Sequence, residues 1–210
     1  TIWGIHYLSL MGCVCGMILA AGLSERMIGP VPKQFLPVGT GTLAALTVRH
    51  AEDSRLEPVV VVTGHRASAV ASSIAGGRAR IVENLRYRQG NMTSFRVGAF
   101  ALAECDACIV LLADMPGVTS EMIDRLIDEW ERHRPWAAVC SYRGALAHPL
   151  LLSAEALLEA TGVDGAKGVW RFLESAGDRV VHVPFDRAVP LDVNTAADYE
   201  LIVGEFPASG

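Results

Sequence analysis

The sequence predicts an α/β fold in which a mostly parallel sheet is flanked by helices. Residues 58–63 form a continuous β-branched run without polar alternation, which is typical of a strand buried on both faces of a parallel sheet. Further apolar strand patterns at residues 17–20 and 108–113 are separated from this run by helical patterns. Asp114 directly follows the second of them, where ligands bind in open α/β sheets.

The remaining elements follow in a regular order. Helical patterns occur at residues 42–51, 67–74, 95–102, 119–130, 153–160 and 171–176, and strand patterns also at residues 79–83, 137–142, 148–152 and 180–184. A last helix follows Thr195, which is a candidate N-cap with Asp198 as a weak capping-box partner. The strands at 137–142 and 148–152 break the alternation of strand and helix, and we expect a small mixed β insertion there.

The composition is that of a globular protein, and nothing in the sequence marks a second domain. The chain has 210 residues, of which 51% are apolar and 20% are charged, which gives ample material for a core. A net charge of −5 argues against a nucleic-acid or anionic-membrane surface. We therefore expect neither nucleic acid nor a membrane as a partner.

The first 16 residues are apolar and contain no lysine or arginine. Together with residues 17–21 they make about 20 uncharged residues, which is long enough to span a bilayer. A secretory signal has a basic start, which this segment lacks. We expect residues 1–16 to be an apolar leader, followed by one domain at residues 17–210. Met11 and Met17 are candidates for the natural start, in which case the residues before them are additions to the native chain.

Five cysteines lie at positions 13, 15, 105, 108 and 140, and their odd number does not fit a disulfide framework. Cys105 and Cys108 have the spacing of a metal half-site or redox pair. A zinc site needs a second pair, and Cys13 and Cys15 have the wrong spacing for one. Because Cys108 opens an apolar strand pattern, we interpret it as a small buried hydrophobe. Reduced thiols predict a cytoplasmic protein.

The loop after the first strand has the features of a polyphosphate site. The apolar pattern breaks at Gly22, and Ser24, Arg26 and Lys33 follow. A glycine lets the backbone approach an anion, while free N–H groups and positive side chains match its charge. No Gly-Lys-Ser/Thr follows, so the loop is not a Walker P-loop. An ordinary strand-to-helix turn is the alternative interpretation.

Two later loops also carry candidate site residues. The loop at residues 84–94 begins at Asn84 and ends at Ser94, before a helical pattern, where a ribose, base or phosphate would bind. Thr93 or Ser94 acting only as a helix cap is the alternative. Asp114 is a candidate Mg²⁺ ligand, since Mg²⁺ prefers one or two carboxylates plus phosphate oxygens. A turn or capping role is the alternative for Asp114.

Five segments resemble motifs of a known family, and two of them are the turns at His148-Pro149 and Asp164-Gly-Ala-Lys167. The run Leu19-Ala-Ala-Gly-Leu-Ser-Glu-Arg-Met27, followed by Lys33, resembles the signature loop of nucleotidyltransferases with a GT-A-like, Rossmann-related fold. Among these are the MobA-like molybdenum cofactor nucleotidyltransferases. Leu111-Leu-Ala-Asp-Met-Pro116 resembles the metal-binding segment of that family, and Pro190-Leu-Asp-Val-Asn-Thr-Ala-Ala-Asp-Tyr199 resembles its closing motif. The resemblance implies that residues 17–210 are a nucleotidyltransferase domain.

The resemblance implies a role for each matching residue. The residues that would bind the nucleotide are Ala20, Ala21, Gly22, Ser24, Gly64, Asn84 and Ser94. Arg26, Lys33 and Asp114 would act in catalysis, the two cations by holding the β- and γ-phosphates. Asp114 and Asp192 would hold Mg²⁺, with Mn²⁺ as an alternative ion and Asn194 as a near rival of Asp192. His148, Lys167 and Asn194 would line the acceptor site, although His148 and Lys167 also fit purely structural roles.

The resemblance also indicates the substrates. Ala20-Ala-Gly22, in place of Ala-Gly-Gly, is similar to the cytidylyl enzymes of the molybdenum branch. It implies that CMP is transferred from CTP to the phosphate of a molybdopterin-type cofactor, with release of pyrophosphate. A guanylyltransferase that uses GTP is the alternative within that branch.

Two other functions stay open at this point. Pro32-Lys-Gln-Phe-Leu-Pro37 is closer to the cytidylyltransferase that acts on methylerythritol phosphate, so a cytidylyltransferase acting on a sugar or polyol phosphate is one alternative. A non-catalytic carrier that delivers cofactor to a molybdenum hydroxylase is the alternative of a different class. Under either molybdenum-related function, transient contact with such a hydroxylase or its chaperone is expected.

Overall fold

The structure is a computed structural model that describes residues 12–23 and 32–206, and its strands form one large sheet and one small sheet. The strands are β1 (Val14–Leu19), β2 (Pro37–Val38), β3 (Gly41–Thr42), β4 (Val59–Thr63), β5 (Arg80–Glu83), β6 (Ala107–Leu112), β7 (Ala137–Tyr142), β8 (Ala145–Ser153) and β9 (Val180–Phe185). Within these residues the large sheet has seven strands in the order β5-β4-β1-β6-β8-β7-β9. Only β8 runs antiparallel to its neighbours there, and β2 pairs with β3 in the small antiparallel sheet.

Helices cover both faces of the sheet. They are α1 (Leu43–Asp53), α2 (Ala67–Ser73), α3 (Asn91–Ala101), α4 (Ser120–His133), α5 (Ala154–Thr161), α6 (Gly168–Ala176) and α7 (Ala196–Glu205). One core contains Val48 of α1 and Leu126 of α4, and the other contains Phe95 of α3 and Leu157 of α5. The predicted α/β class, with a mostly parallel sheet between helices, is confirmed.

The central strands show why the apolar runs lack alternation. In β4, Val59 and Val61 pack into one core while Val60 and Val62 pack into the other. The period-two geometry of a strand therefore sends apolar side chains to both faces. In β1 the same pattern begins at Val14, three residues before the predicted start of this strand.

The mixed part of the sheet differs from its prediction in detail. β7 and β8 are joined by a two-residue turn in which Arg143 has φ +49 and Gly144 has φ +93. Positive φ at both central residues is the geometry of a type I′ hairpin turn, so β8 starts at Ala145 rather than at residue 148. This hairpin is the mixed β insertion, and it lies within the large sheet.

Two helix starts test the capping predictions. Helix α3 begins at Asn91 after Gly90, which has φ +114 and gives no side-chain cap, so the alternative in which Thr93 or Ser94 only caps this helix is wrong. Helix α7 follows Thr195, whose side chain accepts from the Asp198 N–H while the Asp198 carboxylate accepts from the Thr195 N–H. The predicted capping box is confirmed.

The cysteines and helices bear on two further expectations. Cys108 is fully buried in β6 beside Cys15 of β1, in agreement with its interpretation as a small core residue. No helix among the described residues is long and apolar enough to cross a bilayer. Residues 1–11 of the predicted leader lie outside the described residues.

Candidate active site

A cavity of about 540 Å³ opens at the carboxyl edge of the parallel strands. Because β1, β4, β5 and β6 are parallel, their carboxyl ends meet along one edge of the sheet. The cavity is lined by Leu19, Ala21, Gly22, Leu23, Lys33, Gln34, Tyr87, Arg88, Gly90, Asn91, Ser94, Leu112, Ala113, Asp114, Asp192 and Asn194. Its position is the one that the strand patterns predict for a ligand site.

The loop after β1 forms one wall. Ala21 and Gly22 line the cavity, whereas Ala20 is buried behind them. The Gln34 side chain donates a hydrogen bond of 3.0 Å to the Gly22 carbonyl, which ties the loop to the start of the next turn. Among the residues that the structure describes, a Cβ on Gly22 would meet only the Gln34 amide nitrogen, at 3.9 Å. Ser24 and Arg26, which were predicted for this loop, lie outside the described residues.

Lys33 and the two predicted metal ligands form the opposite wall. The Lys33 ammonium contacts the Asp114 carboxylate and lies 3.9 Å from Asp192 Oδ1. It also donates hydrogen bonds of 2.9 Å to the Val193 carbonyl and 3.1 Å to Asn194 Oδ1. Residues up to 161 positions apart in the chain are thus brought to one point. The geometry places a positive charge inside a group of four oxygen-bearing partners.

The backbone fixes this wall. Asp114 follows β6, and the Val193 N–H donates a hydrogen bond of 3.0 Å to the Asp114 carbonyl. Lys33 opens the 3₁₀ turn Lys33–Phe35, which is buried at Lys33 and Gln34. Burial raises the pKa of the Asp114 carboxyl, the Lys33 ammonium lowers it in part, and the neighbouring Asp192 carboxyl raises it again. The two carboxylates therefore need positive charge beside them.

The donor set fits a hard divalent cation. Asp192 Oδ1 is buried and accepts no hydrogen bond from the part of the chain that the structure describes. Among these residues no three His, Cys, Asp or Glu side chains are grouped to hold a metal ion. Two carboxylates suit Mg²⁺ or Mn²⁺ when water and substrate phosphate oxygens complete the coordination, which is the usual pattern for Mg²⁺.

Asn84 and Ser94 belong to a third wall but differ in position. Ser94 lines the cavity from the first turn of α3, whereas Asn84 is 2% exposed and lies behind it. The Asn84 amide donates hydrogen bonds of 2.8 Å to Thr93 Oγ1 and 2.9 Å to Ser94 Oγ. It also accepts one from the Arg86 N–H at 2.9 Å. Asn84 therefore positions the wall that Ser94 presents.

Gly64 also lies behind the cavity. A Cβ at this position would lie 2.6 Å from the Tyr87 Cβ and 2.9 Å from the Ala21 Cβ. The absence of a side chain at Gly64 lets two walls approach each other closely. Its predicted part in nucleotide binding would thus be indirect.

The predicted acceptor residues do not come together. Asn194 lines the cavity, whereas Lys167 is exposed at the start of α6, with φ +55, and is not among the lining residues. His148 packs edge-on against Trp170, with ring centroids 5.4 Å apart, and its Nδ1 is 3.3 Å from the Val110 carbonyl oxygen. Burial lowers the pKa of His148 to about 4, so its imidazole is neutral at physiological pH.

Four lining residues with polar side chains were not predicted from the sequence. Gln34 is adjacent to Lys33, and Tyr87, Arg88 and Asn91 belong to the polar loop and helix start between β5 and α3. The Arg88 guanidinium lies 5.4 Å from the centroid of the Tyr87 ring. Their position after a strand of the parallel sheet could have indicated them, because the loops that follow such strands lie at the ligand-binding edge of the sheet.

Comparison with known proteins assigns the family. A family model described as the MobA-like NTP transferase domain matches residues 16–180. The chain belongs to the MobA-like NTP transferase family. As a MobA-like protein it is a nucleotidyltransferase by family, and all the described lining residues except Asp192 and Asn194 lie within the matched range.

Two curated proteins are similar to this chain in sequence. Nicotine blue oxidoreductase from Paenarthrobacter nicotinovorans is 31% identical over 140 residues, which are 67% of this chain and 67% of that protein. Bifunctional protein GlmU from Cereibacter sphaeroides is 31% identical over 119 residues, which are 56% of this chain. This match covers 26% of GlmU, so the chain corresponds to about a quarter of that protein.

Solved structures agree with the MobA-like assignment. The homologue of Rv0371c from Mycobacterium sp. strain JC1 superposes with a TM-score of 0.78 at 31% identity, covering 91% of this chain and 96% of that one. Rv0371c from Mycobacterium tuberculosis H37Rv superposes with a TM-score of 0.82 at 28% identity, covering 92% and 99%. Another structure of Rv0371c is a complex with manganese, with a TM-score of 0.75 at 28% identity, covering 92% of this chain and 98% of that one.

Proposed function

We propose that this protein transfers CMP from CTP to the phosphate of a molybdopterin-type cofactor and releases pyrophosphate. The observation that carries the proposal is the convergence of Lys33, Asp114, Asp192 and Asn194 on one wall of the cavity. Phosphate transfer needs positive charge near the phosphate oxygens, and a lysine together with two carboxylates that can hold a metal ion would supply it. The cavity volume of about 540 Å³ lies within the range of small-molecule sites, about 300–1,000 Å³.

The reaction is a displacement at phosphorus. A phosphate oxygen of the acceptor forms a bond to the α-phosphorus of CTP, and the bond from that phosphorus to the oxygen bridging the β-phosphate breaks. The electron pair of the broken bond leaves with pyrophosphate. No general base is required, because a phosphate acceptor is already anionic at neutral pH. The protein has to position the two reactants and match their charge.

The residues divide this work. Lys33 would hold the leaving phosphates, and the start of α3 at Asn91 presents backbone N–H groups on the cavity wall, where phosphates are favoured. Asp114 and Asp192 would hold a divalent cation, which supplies Lewis-acid charge stabilisation at the phosphate oxygens when bound. Mg²⁺ is our first choice of ion. Mn²⁺ is equally compatible with oxygen ligands, and the manganese complex of Rv0371c supports divalent metal binding in a relative.

The base and the acceptor rest on the sequence resemblance. Ala20-Ala-Gly22 favours CTP over GTP, and Ala21 and Gly22 lie on the cavity wall. Asn194 is our candidate for acceptor binding that also lines the cavity, while His148 and Lys167 would reach the acceptor only from outside the present lining. We also propose a cytoplasmic location, since all five cysteines are free.

Methylerythritol phosphate is a second candidate acceptor, because Pro32-Lys-Gln-Phe-Leu-Pro37 carries Lys33 and Gln34, both of which line the cavity. Family membership does not by itself specify the reaction, since one relative is named for a redox reaction. A decisive assay therefore varies the nucleotide and the acceptor independently.

The test is a nucleotide and acceptor panel that follows pyrophosphate release. Protein with Mg²⁺ or Mn²⁺ is given CTP, GTP, ATP or UTP, with molybdopterin or methylerythritol phosphate as acceptor. We expect release with CTP and molybdopterin. Release with GTP would reverse the choice of base, and release with methylerythritol phosphate alone would replace the acceptor. If no combination of nucleotide and acceptor released pyrophosphate, but the protein still delivered cofactor to a molybdenum hydroxylase, a non-catalytic carrier would be favoured.

A further inference from the structure

We propose that Lys33 is a built-in counter-ion of the metal site, and that a nucleotide triphosphate draws its ammonium away so that a divalent cation can enter. Binding of nucleotide and metal would then be cooperative. The inference rests on the proposed function in one respect, namely that Asp114 and Asp192 are the metal ligands.

Oxygen atoms of the chain surround the Lys33 ammonium. Three donor directions are occupied, by the Asp114 carboxylate, by the Val193 carbonyl at 2.9 Å and by Asn194 Oδ1 at 3.1 Å. Asp192 Oδ1 lies 3.9 Å away on a further side. A lysine ammonium has three N–H donors, so this environment uses all of them. The oxygens around Lys33 are the same chemical set that a hard cation selects.

Charge decides whether Lys33 and a metal can share these oxygens. Two carboxylates and one ammonium sum to one negative charge, whereas adding a divalent cation gives one positive charge. The Lys33 side chain is 11% exposed, that of Asp114 19% and that of Asp192 43%, so solvent screens the repulsion between the ammonium and a metal ion poorly on the Asp114 side. Metal entry without another anion therefore displaces the ammonium or fails.

A triphosphate supplies the missing anion. Lys33 lines the cavity, and its four-carbon stem lets the ammonium turn from the carboxylates towards phosphate oxygens without backbone movement. The vacated carboxylates then face a cation that the phosphates also coordinate. By linkage, a nucleotide that tightens metal binding is itself bound more tightly when metal is present.

The first experiment measures Mn²⁺ binding without nucleotide, using the electron paramagnetic resonance signal of free Mn²⁺. We expect Lys33→Met to bind Mn²⁺ at least about tenfold more tightly than the wild type, because one buried competing charge is gone. Arg132→Met, on the exposed last turn of α4, removes the same charge elsewhere and should leave the affinity within about twofold. Equal, weaker or absent Mn²⁺ binding by Lys33→Met would overturn the inference.

A second experiment needs no variant and guards against poor folding of Lys33→Met. The chain contains two lysines, Lys33 and Lys167, so selective labelling with ¹⁵N at the side-chain nitrogen gives two ammonium signals. Lys33 is buried and hydrogen-bonded, whereas Lys167 is exposed and serves as the internal control. Adding inorganic tripolyphosphate should shift the Lys33 signal and leave that of Lys167 in place. An unmoved Lys33 signal at saturating tripolyphosphate contradicts the inference.

The two proposals fail in different ways. If Lys33→Met gains Mn²⁺ affinity and the additional change Asp114→Asn abolishes that gain, the counter-ion inference stands whatever nucleotide is used. Transfer activity with CTP, together with unchanged Mn²⁺ affinity in Lys33→Met, would keep the proposed function and remove the inference. A gain that survives Asp114→Asn would show that the metal ligands are assigned wrongly, and the inference would fall with that assignment.

Discussion

The two halves of the large sheet differ in how many of the predicted site residues they bring to the cavity. In the parallel half, made of β5, β4, β1 and β6, the segments that follow the strands contribute Gly22, Ser94 and Asp114 to one cavity. In the mixed half, made of β8, β7 and β9, His148 packs against Trp170 instead. Parallel strands place all their carboxyl ends at one edge, whereas a hairpin places the end of one strand beside the start of the next.

The topology of the sheet thus assembles the proposed nucleotide side of the site but not the proposed acceptor side. The closing segment after β9 is the exception, because Asp192 and Asn194 reach the cavity. They do so through the hydrogen bond from the Val193 N–H to the Asp114 carbonyl. Variants in the two halves should therefore affect different properties.

Asp114→Asn should have the largest effect and tests the parallel half. It removes one charge of the proposed metal site while keeping the shape of the side chain. We expect transfer to fall by about a thousandfold or more at saturating substrates, since both charge stabilisation and positioning are lost. Pyrophosphate release checks this, with the exposed Asp186→Asn beyond β9 as the matched control. Activity within about tenfold of the wild type would remove Asp114 from the proposed mechanism.

Lys33→Met should have the next largest effect and has two opposite consequences. Transfer should lose about 2–4 kcal/mol of transition-state stabilisation, as when one preorganised donor is removed. Affinity for Mn²⁺ should rise in the same variant. Measuring kcat/KM and Mn²⁺ binding on one preparation separates the two. If kcat/KM and the affinity for Mn²⁺ both fell, Lys33 would support metal binding rather than compete with the metal.

Particular residues show how much of this arrangement the sequence could predict. Four consecutive valines at 59–62 predicted β4, because only a strand with both faces buried tolerates them. The start of α3 could not be found, since Gly90 offers no side-chain cap. The connection between β7 and β8 was predicted, but the start of β8 was placed three residues too late, because Arg143 has a positive φ although it is not glycine.

The site was only partly predictable for a related reason. Lys33 and Asn194 are 161 positions apart, so no spacing rule connects them, and only the family resemblance placed both in one site. The Asn84 amide reaches Thr93 and Ser94, and this network depends on a helix start that the sequence did not reveal. The apolar pattern that predicts a strand is a local feature of the sequence, whereas the walls of the cavity depend on contacts between distant residues.

His148→Gln tests the mixed half through stability. The pKa of His148 is lowered from 6.5 to about 4 by burial, so between these values the unfolded chain binds more protons than the folded one. Stability therefore falls as the pH is lowered from about 6.5 to about 4, by at most about 3 kcal/mol. Urea unfolding across this range should show a flatter pH dependence in His148→Gln. An unchanged pH dependence, with a raised KM for the acceptor, would instead make His148 an acceptor residue.

Two glycines of the parallel half give the smallest and sharpest contrast. At Gly64 a Cβ would lie 2.6 Å from the Tyr87 Cβ, so Gly64→Ala forces two walls apart and should cost about 1–2 kcal/mol of unfolding free energy. At Gly22 the nearest atom of the described residues would be 3.9 Å away, so we expect Gly22→Ala to leave the unfolding free energy within about 0.5 kcal/mol of the wild type.

The methyl group that Gly22→Ala adds would instead occupy space on the cavity wall, where the backbone is proposed to approach phosphates. We expect Gly22→Ala to weaken the binding of CTP, measured by calorimetry. The urea concentration at the midpoint of unfolding should equal that of the wild type. If both variants lost stability equally, the loop after β1 would be part of the packed core. A normal CTP affinity in Gly22→Ala would place the triphosphate away from this loop, and the convergence of the parallel half on one nucleotide site would then need another explanation.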